Sequence, residues 1–430
     1  MSTQELLGKV LPHLSLRDGL PDLIDTPDQL ARAAQALASG EGPVAIDAER
    51  ASAYRYGHRA YLIQLRREGV GTFLVDPIRL SDLSPLAAAI GSAEWVIHAA
   101  AQDLPCLAER GLRPARLFDT ELAARLAGYP RVGLAAMVET LLGFRLDKNH
   151  ARVDWSRRPL PEAWLRYAAL DVEVLAELRE ILRTELRRQG KLRWAAEEFE
   201  YLRTSLPPTP APERWRRVSG IHQVRGRRGL AVVRELWSVR DHLAREADLS
   251  PTRLLPDEAI IWAATHRVTT REQLLAAGFP SRDLETWWTA VRRAHRLADS
   301  ALPAAAPASP GPPPAHRWRD KSPAAAERLA AARAAVAALA DEHRLPAENL
   351  LSPDVVRRLC WDPPDPPDEA AVAEVLRRGG ARPWQIRLTA GPLSRVLVRA
   401  AVHAVDVHPV DVPRSPERRI DRRTPGGNVP

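Results

Sequence analysis

VAIDAE, residues 44–49, is an apolar run that ends in acid. Side chains along a strand alternate between its two faces, so Asp47 and Glu49, two apart, project from the same side of a sheet. Before it, TPDQLARAAQALASG (26–40) reads as a helix that ends near Gly40. After it come two more strand-like runs, around 60–65 and 72–75, whose short links favour antiparallel neighbours. A helix over about 83–90 leads to a strand at 95–98. A further helix leads to Leu117 and Phe118, and this alternation favours parallel additions to the same sheet. The pattern predicts a mixed sheet with helices on both faces.

Three more chemistry-bearing residues stand in that frame. Asp103 follows the apolar run WVIHAA (95–100), where a strand gives way to a loop or helix. Tyr167 and Asp171 lie in WLRYAALDVEVLAEL (164–178), whose apolar residues recur at helical spacing, so the two share one helix face. A DxE or a YxxxD alone is common and reads equally well as a solvated strand end or a surface helix pair. Their conjunction with Asp103 in one domain-sized stretch reads as a cage for divalent cations. Hard oxygen donors suit Mg²⁺ or Mn²⁺ rather than zinc. Two such ions roughly 4 Å apart serve in-line phosphodiester displacement. A tyrosine, with a reference pKa of about 10, is suited to positioning an attacking water.

These residues, together with AYLIQL (60–65), FDTELAARLAG (118–128), LDKNHARVDWSRRPLPEAW (146–164) and YAALDVEVL (167–175), resemble the ribonuclease D family of the DEDDy 3′-5′ exonuclease superfamily. The resemblance covers most of residues 22–200 and implies an α/β, ribonuclease H-like exonuclease domain. It implies that Asp47 bridges two metals, that Glu49 and Asp171 hold the nucleophile-side ion, that Asp103 holds the other partly through water, and that Tyr167 orients the water. The implied reaction releases nucleoside 5′-monophosphates from the 3′ end of structured RNA such as tRNA precursors. LWSVRDHLAREADLSPTRLLPDEAI (236–260) resembles the HRDC domain. One departure is Arg50 directly after Glu49, followed by the Arg- and Tyr-rich loop ASAYRYGHR (51–59), where the terminal nucleotide would be read.

Organisation and composition complete the expectations. Residues 1–205 are expected to form the exonuclease domain, 206–220 a linker, and 221–300 an all-α domain. A Pro- and Ala-rich linker follows at 301–320, then a second all-α, HRDC-like domain at 321–405, and a basic tail at 406–430. The two helical modules echo each other: Leu249, Leu254, Leu255, Pro256 and Asp257 against Leu345, Leu350, Leu351, Pro353 and Asp354, with Gly278 and Gly379 closing later helices. The chain of 430 residues carries a net charge of +8, mostly through arginine, which favours a polyanionic partner but does not separate RNA from DNA. Two cysteines far apart argue against a disulfide framework. With no long apolar stretch, the expectation is a cytoplasmic protein without a membrane span or an obligate protein partner, monomeric, acting on RNA with a free 3′ end.

Further substrate contacts are expected among Arg50, His98, Lys148, Arg152, Trp155 and Arg158; His98 reads equally as a buried, hydrogen-bonded histidine, and Lys148, Arg152, Trp155 and Arg158 equally as parts of a solvated loop. Trp164 reads as core. Arg216, Arg217, Arg225, Arg227 and Arg228 could form an electrostatic footprint or simply solubilise a linker. Two other functions stay open. One is a 3′-5′ DNA exonuclease, since the cage does not inspect a 2′-hydroxyl. The other is an inert nucleic-acid-binding scaffold, which would be marked by a missing ligand where none is missing.

Overall fold

The computed structural model describes residues 11–147, 150, 152–205, 213–305 and 311–406, without the side chains of 401–406. Lys148, part of each expected linker and most of the basic tail lie outside the described residues. Among the described residues, six strands form one sheet in the order β1-β4-β3-β2-β5-β6: β1 (Leu23–Ile24), β2 (Val44–Arg50), β3 (Ala60–Arg67), β4 (Gly71–Val75), β5 (Glu94–Ile97) and β6 (Arg116–Asp119). β2, β3 and β4 pair antiparallel, while β5 and β6 add parallel to β2. β1, parallel to β4, is too short for any local pattern to announce it.

Helix α1 (Pro27–Ser39) starts at a capping box between Thr26 and Gln29 and buries Leu30, Ala33, Ala34 and Leu37. α2 (Ser84–Ile90) packs beside it. α3 (Leu104–Glu109), α4 (Thr120–Ala127) and α5 (Leu134–Met137) follow the parallel strands. α6 (Glu162–Glu173) crosses β2, β3 and β4 on the opposite face, and α7 (Leu175–Arg188) and α8 (Leu192–Thr204) complete this part.

The remainder is helical. A first unit contains α9 (Gly226–Glu246), α10 (Pro251–Leu254), α11 (Asp257–Thr265), α12 (Arg271–Ala276) and α13 (Leu284–Arg296), with its own apolar core. A second contains α14 (Trp318–Lys321), α15 (Pro323–Glu342), α16 (Ala347–Leu350), α17 (Pro353–Trp361), α18 (Glu369–Arg378) and α19 (Pro383–Asp406). The echo in sequence is an echo in backbone. Leu255 and Leu351 are both buried in extended conformation after a one-turn helix. Asp248 and Arg344, at φ 48° and 52°, make the same left-handed exit from the long helix. The glycine that matches Gly278 is Gly380, one residue beyond Gly379, because Gly278 and Gly380 take φ near +87° (89° and 85°) and Gly379 does not.

Parts of the segments expected as linkers, 206–220 and 301–320, pack against the helical units. Trp215 and Val218 are buried in the first unit, and Trp318 is buried in the second. Large apolar rings at the ends of polar stretches anchor each unit.

Among the described residues, the second unit shares a continuous apolar core with the exonuclease-like part, whereas the first does not. At that seam Trp384 stacks on Trp194 at 4.9 Å and donates from Nε1 to Glu198 Oε1 at 2.8 Å, an oxygen that also accepts from Arg382 Nε at 2.7 Å. Gly128, at φ +88°, ends α4 so close to the second unit that a Cβ there would lie 2.5 Å from the Arg344 carbonyl oxygen.

Candidate active site

β2 is central, and because β5 runs parallel to it the carboxyl ends of both strands open into one crevice, the usual place for a ligand on such sheets. Asp47 and Glu49 leave β2 on the face that α6 covers. The pairing with β3 slips between Glu49 and Arg50, and this irregularity re-aims Arg50 at the strand end. On α6, Ala168, Ala169 and Val172 are buried against the sheet, which sets Tyr167 and Asp171 over the ends of the strands.

Asp103 arrives by a tighter route. Beyond β5, Ala99 adopts a left-handed conformation (φ 61°, ψ 50°), then a 3₁₀ turn over Ala100–Gln102 delivers Asp103 to the start of α3. A left-handed alanine costs about 1–2 kcal/mol. Asp119, at the end of β6, holds that turn by accepting from Ala99 N (3.1 Å) and Ala100 N (2.9 Å), while also capping α4 through Glu121 N and Leu122 N. Burial nonetheless raises the Asp119 carboxyl to about 6, against the pull of those backbone donors.

One oxygen each from Asp47, Glu49 and Asp171 lie within 4.8 Å of one another. These acids with Asp103 and Tyr167 line a cleft of about 240 Å³. Burial is the main reason that all four carboxyls are pushed upward, and repulsion from neighbouring carboxylates adds to it at Glu49, Asp103 and Asp171: Glu49 rises to about 10 beside Asp47, Asp171 and Asp103. Tyr167 is also raised, first by burial and then by Asp171, so its hydroxyl stays protonated. Four oxygen-donor groups that cannot ionise together unaided are the donor set of a hard divalent cation. Arg50 supplies the only nearby cation among the described residues lining the cleft. Its Nη2 lies 3.7 Å from Asp103 Oδ1 and 3.3 Å from Gln102 Oε1.

The other expected contacts divide. His98 lines the cleft, hydrogen-bonded through Nδ1 to Thr120 Oγ1 at 2.9 Å, and burial lowers it to about 4, so it is neutral. Arg152 is exposed, and its carbonyl accepts from Tyr54 OH. Trp155 is 0% exposed and packs under α6, so it is core and not a base contact. Arg158 is committed too: Nε and Nη2 grip Asp76 at 2.7 and 2.8 Å, and the remaining donors meet the carbonyls of Tyr61, Trp155 and Arg157. Trp164 is partly buried against the same cluster as Trp155. Within the basic lead-in, Arg227 and Arg228 clamp carbonyls in the last turn of α13 and just beyond it, and Arg216 pairs with Glu213. Arg217 and Arg225 are exposed.

Sequence reasoning passed over Asp119, whose signal was an acid at a helix start. It also passed over Gln64, opposite Asp47 on β3, which is fully buried with neither amide atom partnered among the described residues.

Comparison with known proteins follows the same division. Residues 21–187 match the family model of a 3′-5′ exonuclease, residues 229–287 that of the HRDC domain, and residues 311–397 that of a 3′ to 5′ exonuclease C-terminal domain. Ribonuclease D of Gluconacetobacter diazotrophicus is 33% identical over 364 residues, which span 81% of this chain and 89% of the relative. Among solved structures, a protein from Bifidobacterium adolescentis is similar with a TM-score of 0.81 and 39% identity over 90% of this chain and all of that one. Escherichia coli RNase D, described as an exoribonuclease involved in structured RNA processing, is similar with a TM-score of 0.65 and 28% identity over 88% and 98%.

Proposed function

The chain belongs to the ribonuclease D family of 3′-5′ exoribonucleases, and from that premise we propose that it removes nucleoside 5′-monophosphates from the 3′ end of structured RNA, tRNA precursors among them. The observation that carries the reading is the convergence of Asp47, Glu49 and Asp171 oxygens within 4.8 Å beside Tyr167. Asp47, Glu49, Asp103 and Asp171 would hold two divalent ions, Mg²⁺ or Mn²⁺. Ions bound there supply Lewis acidity and charge neutralisation at the phosphodiester.

The chain's own groups do the rest. Asp47 lies among the other acids, and Glu49 and Asp171 stand beside Tyr167, so these side chains together would hold the ions next to the hydroxyl that meets the water. Tyr167, still protonated, offers a hydroxyl that orients that water rather than deprotonating it. Arg50 is placed to leave Asp103 for a phosphate oxygen as substrate enters. In this reading residues 1–205 form the exonuclease domain, 221–300 the HRDC domain and 321–405 a second HRDC-like domain, with Trp215 and Trp318 extending the helical domains into the segments before them. Among the described residues no helix is long and apolar enough to cross a membrane. The working form is a cytoplasmic monomer.

Asp47→Asn and Asp171→Asn are expected to abolish release of mononucleotides from a 5′-labelled RNA while leaving the fold intact. Undiminished release by either purified variant would sink the mechanism. Matched RNA and DNA oligonucleotides test the substrate class, and faster cutting of DNA would overturn it.

A further inference from the structure

The loop that joins β2 to β3 begins one residue after Arg50, and its outer part is held by the first helical unit rather than by the sheet. Tyr56 OH donates to Asp241 Oδ1 at 3.0 Å and accepts from Arg245 Nη2 at 3.0 Å, with the Arg245 guanidinium 5.3 Å from the centre of its ring. Arg253 donates from Nε to the Ala53 carbonyl at 3.0 Å and lies 4.1 Å over the Tyr54 ring. Ser250 N donates to the Tyr54 carbonyl at 3.0 Å, and Arg59 pairs with Asp248.

The same loop grips a second segment on its other side. Tyr54 OH donates to the Arg152 carbonyl at 3.1 Å, and Arg55 Nε donates to Ser156 Oγ at 2.7 Å. Between those two anchors sits buried Trp155, whose ring centre is 6.3 Å from that of Tyr167. His150 stands edge-on to Tyr167 at 5.9 Å. A continuous set of contacts therefore runs from α9 and α10 through the loop to the rings that wall in Tyr167.

A module that only gripped distal RNA would have no need to spend Asp241, Arg245, Ser250 and Arg253 on a catalytic-side loop. We propose that the first helical unit is part of the catalytic scaffold: through these residues it holds the 53–59 loop, and through that loop the 152–156 segment and Tyr167, in register for hydrolysis. Tyr56, Asp241 and Arg253 are positioning residues. The proposal rests on the exonuclease reading of the acidic cage.

The test uses the full chain and two RNA substrates: the 5′-phosphorylated uridine dinucleotide pUpU, and a hairpin RNA with a single-stranded 3′ tail. pUpU, only two nucleotides long, offers little RNA for the helical unit to grip. Because a misplacement of about 1 Å can cost up to a hundredfold, Tyr56→Ala and Asp241→Ala are expected to lower kcat on pUpU about tenfold, with KM little changed. The double variant should be no worse than either single one, and Tyr56→Phe, which keeps the ring under Arg245, should recover part of the loss. Arg253→Ala, a change at an exposed side chain, repeats the measurement should the others fold poorly.

Wild-type kcat on pUpU in these variants, with losses confined to the hairpin, would overturn the proposal and leave a clamp. Asp171→Asn is run beside them. Its retained activity would instead overturn the exonuclease reading itself.

Discussion

Arg158→Met separates a structural arginine from a phosphate-binding one. Its guanidinium has 18% of the side chain exposed, and Asp76, its partner 82 residues away, has 1%. Methionine keeps most of the length but removes two charge-assisted bonds to the carboxylate and those to the carbonyls of Tyr61, Trp155 and Arg157. The Ile78 N–H remains on Asp76 Oδ1 at 2.9 Å, which cannot replace a cation. Breaking a buried pair from one side costs about 3–5 kcal/mol, because the other charge is stranded. Urea unfolding followed by tryptophan fluorescence should show that loss, and adding Asp76→Asn should restore part of it, since the double variant buries no lone carboxylate. A stability within about 0.5 kcal/mol of wild type, together with weaker RNA binding and a shallower salt dependence, would refute the reasoning and return Arg158 to the substrate.

Other expectations follow from the same geometry. His98 refuses a proton in the fold until about pH 4, whereas the unfolded chain takes one near 6.5, so its contribution to stability is lost as pH falls between those values. The effect is about 3 kcal/mol, and His98→Gln should flatten that part of a stability-pH curve while leaving the rest. Gly128→Ala combines left-handed strain with a backbone collision at Arg344, and should cost at least about 2 kcal/mol in denaturant unfolding. An unchanged midpoint would mean that the seam is looser than described. Mn²⁺ at a hundredfold over its Kd should stabilise the chain by about 2.7 kcal/mol in a thermal shift, and Asp47→Asn should remove that response; EDTA should reverse it and stop RNA cleavage.

What was legible in the sequence was whatever depends on local period. Alternation along β2 put Asp47 and Glu49 on one face, and a four-residue step put Tyr167 with Asp171. The repeat of Leu254-Leu255 in Leu350-Leu351 is a local signal of two related helical units. Long-range pairing was not legible. The run from Leu146 to Trp164 reads as a solvated loop because its polar residues are dense, yet Trp155 is core and Arg158 is satisfied by residues far away in the chain. Arg227 and Arg228 read as a footprint or a solubilising linker for the same reason, although the carbonyls they satisfy lie about seventy residues on. The left-handed Ala99 and its tether to Asp119 depend on β5 and β6 being neighbours, a fact of the sheet that no local window holds.

The seam between the exonuclease core and the second helical unit has a topological consequence for the first. Chain order places the first unit between two parts that share one apolar core, so it is tethered at both ends to a single body. A double tether confines it to a small volume beside the 53–59 loop, where its effective concentration is on the order of millimolar. A few hydrogen bonds and cation-ring contacts, too weak to hold two separate molecules together, then suffice to keep it docked. Cutting one connection would leave the unit attached but less confined, and its grip on the loop would fall with the lost effective concentration rather than with any lost contact.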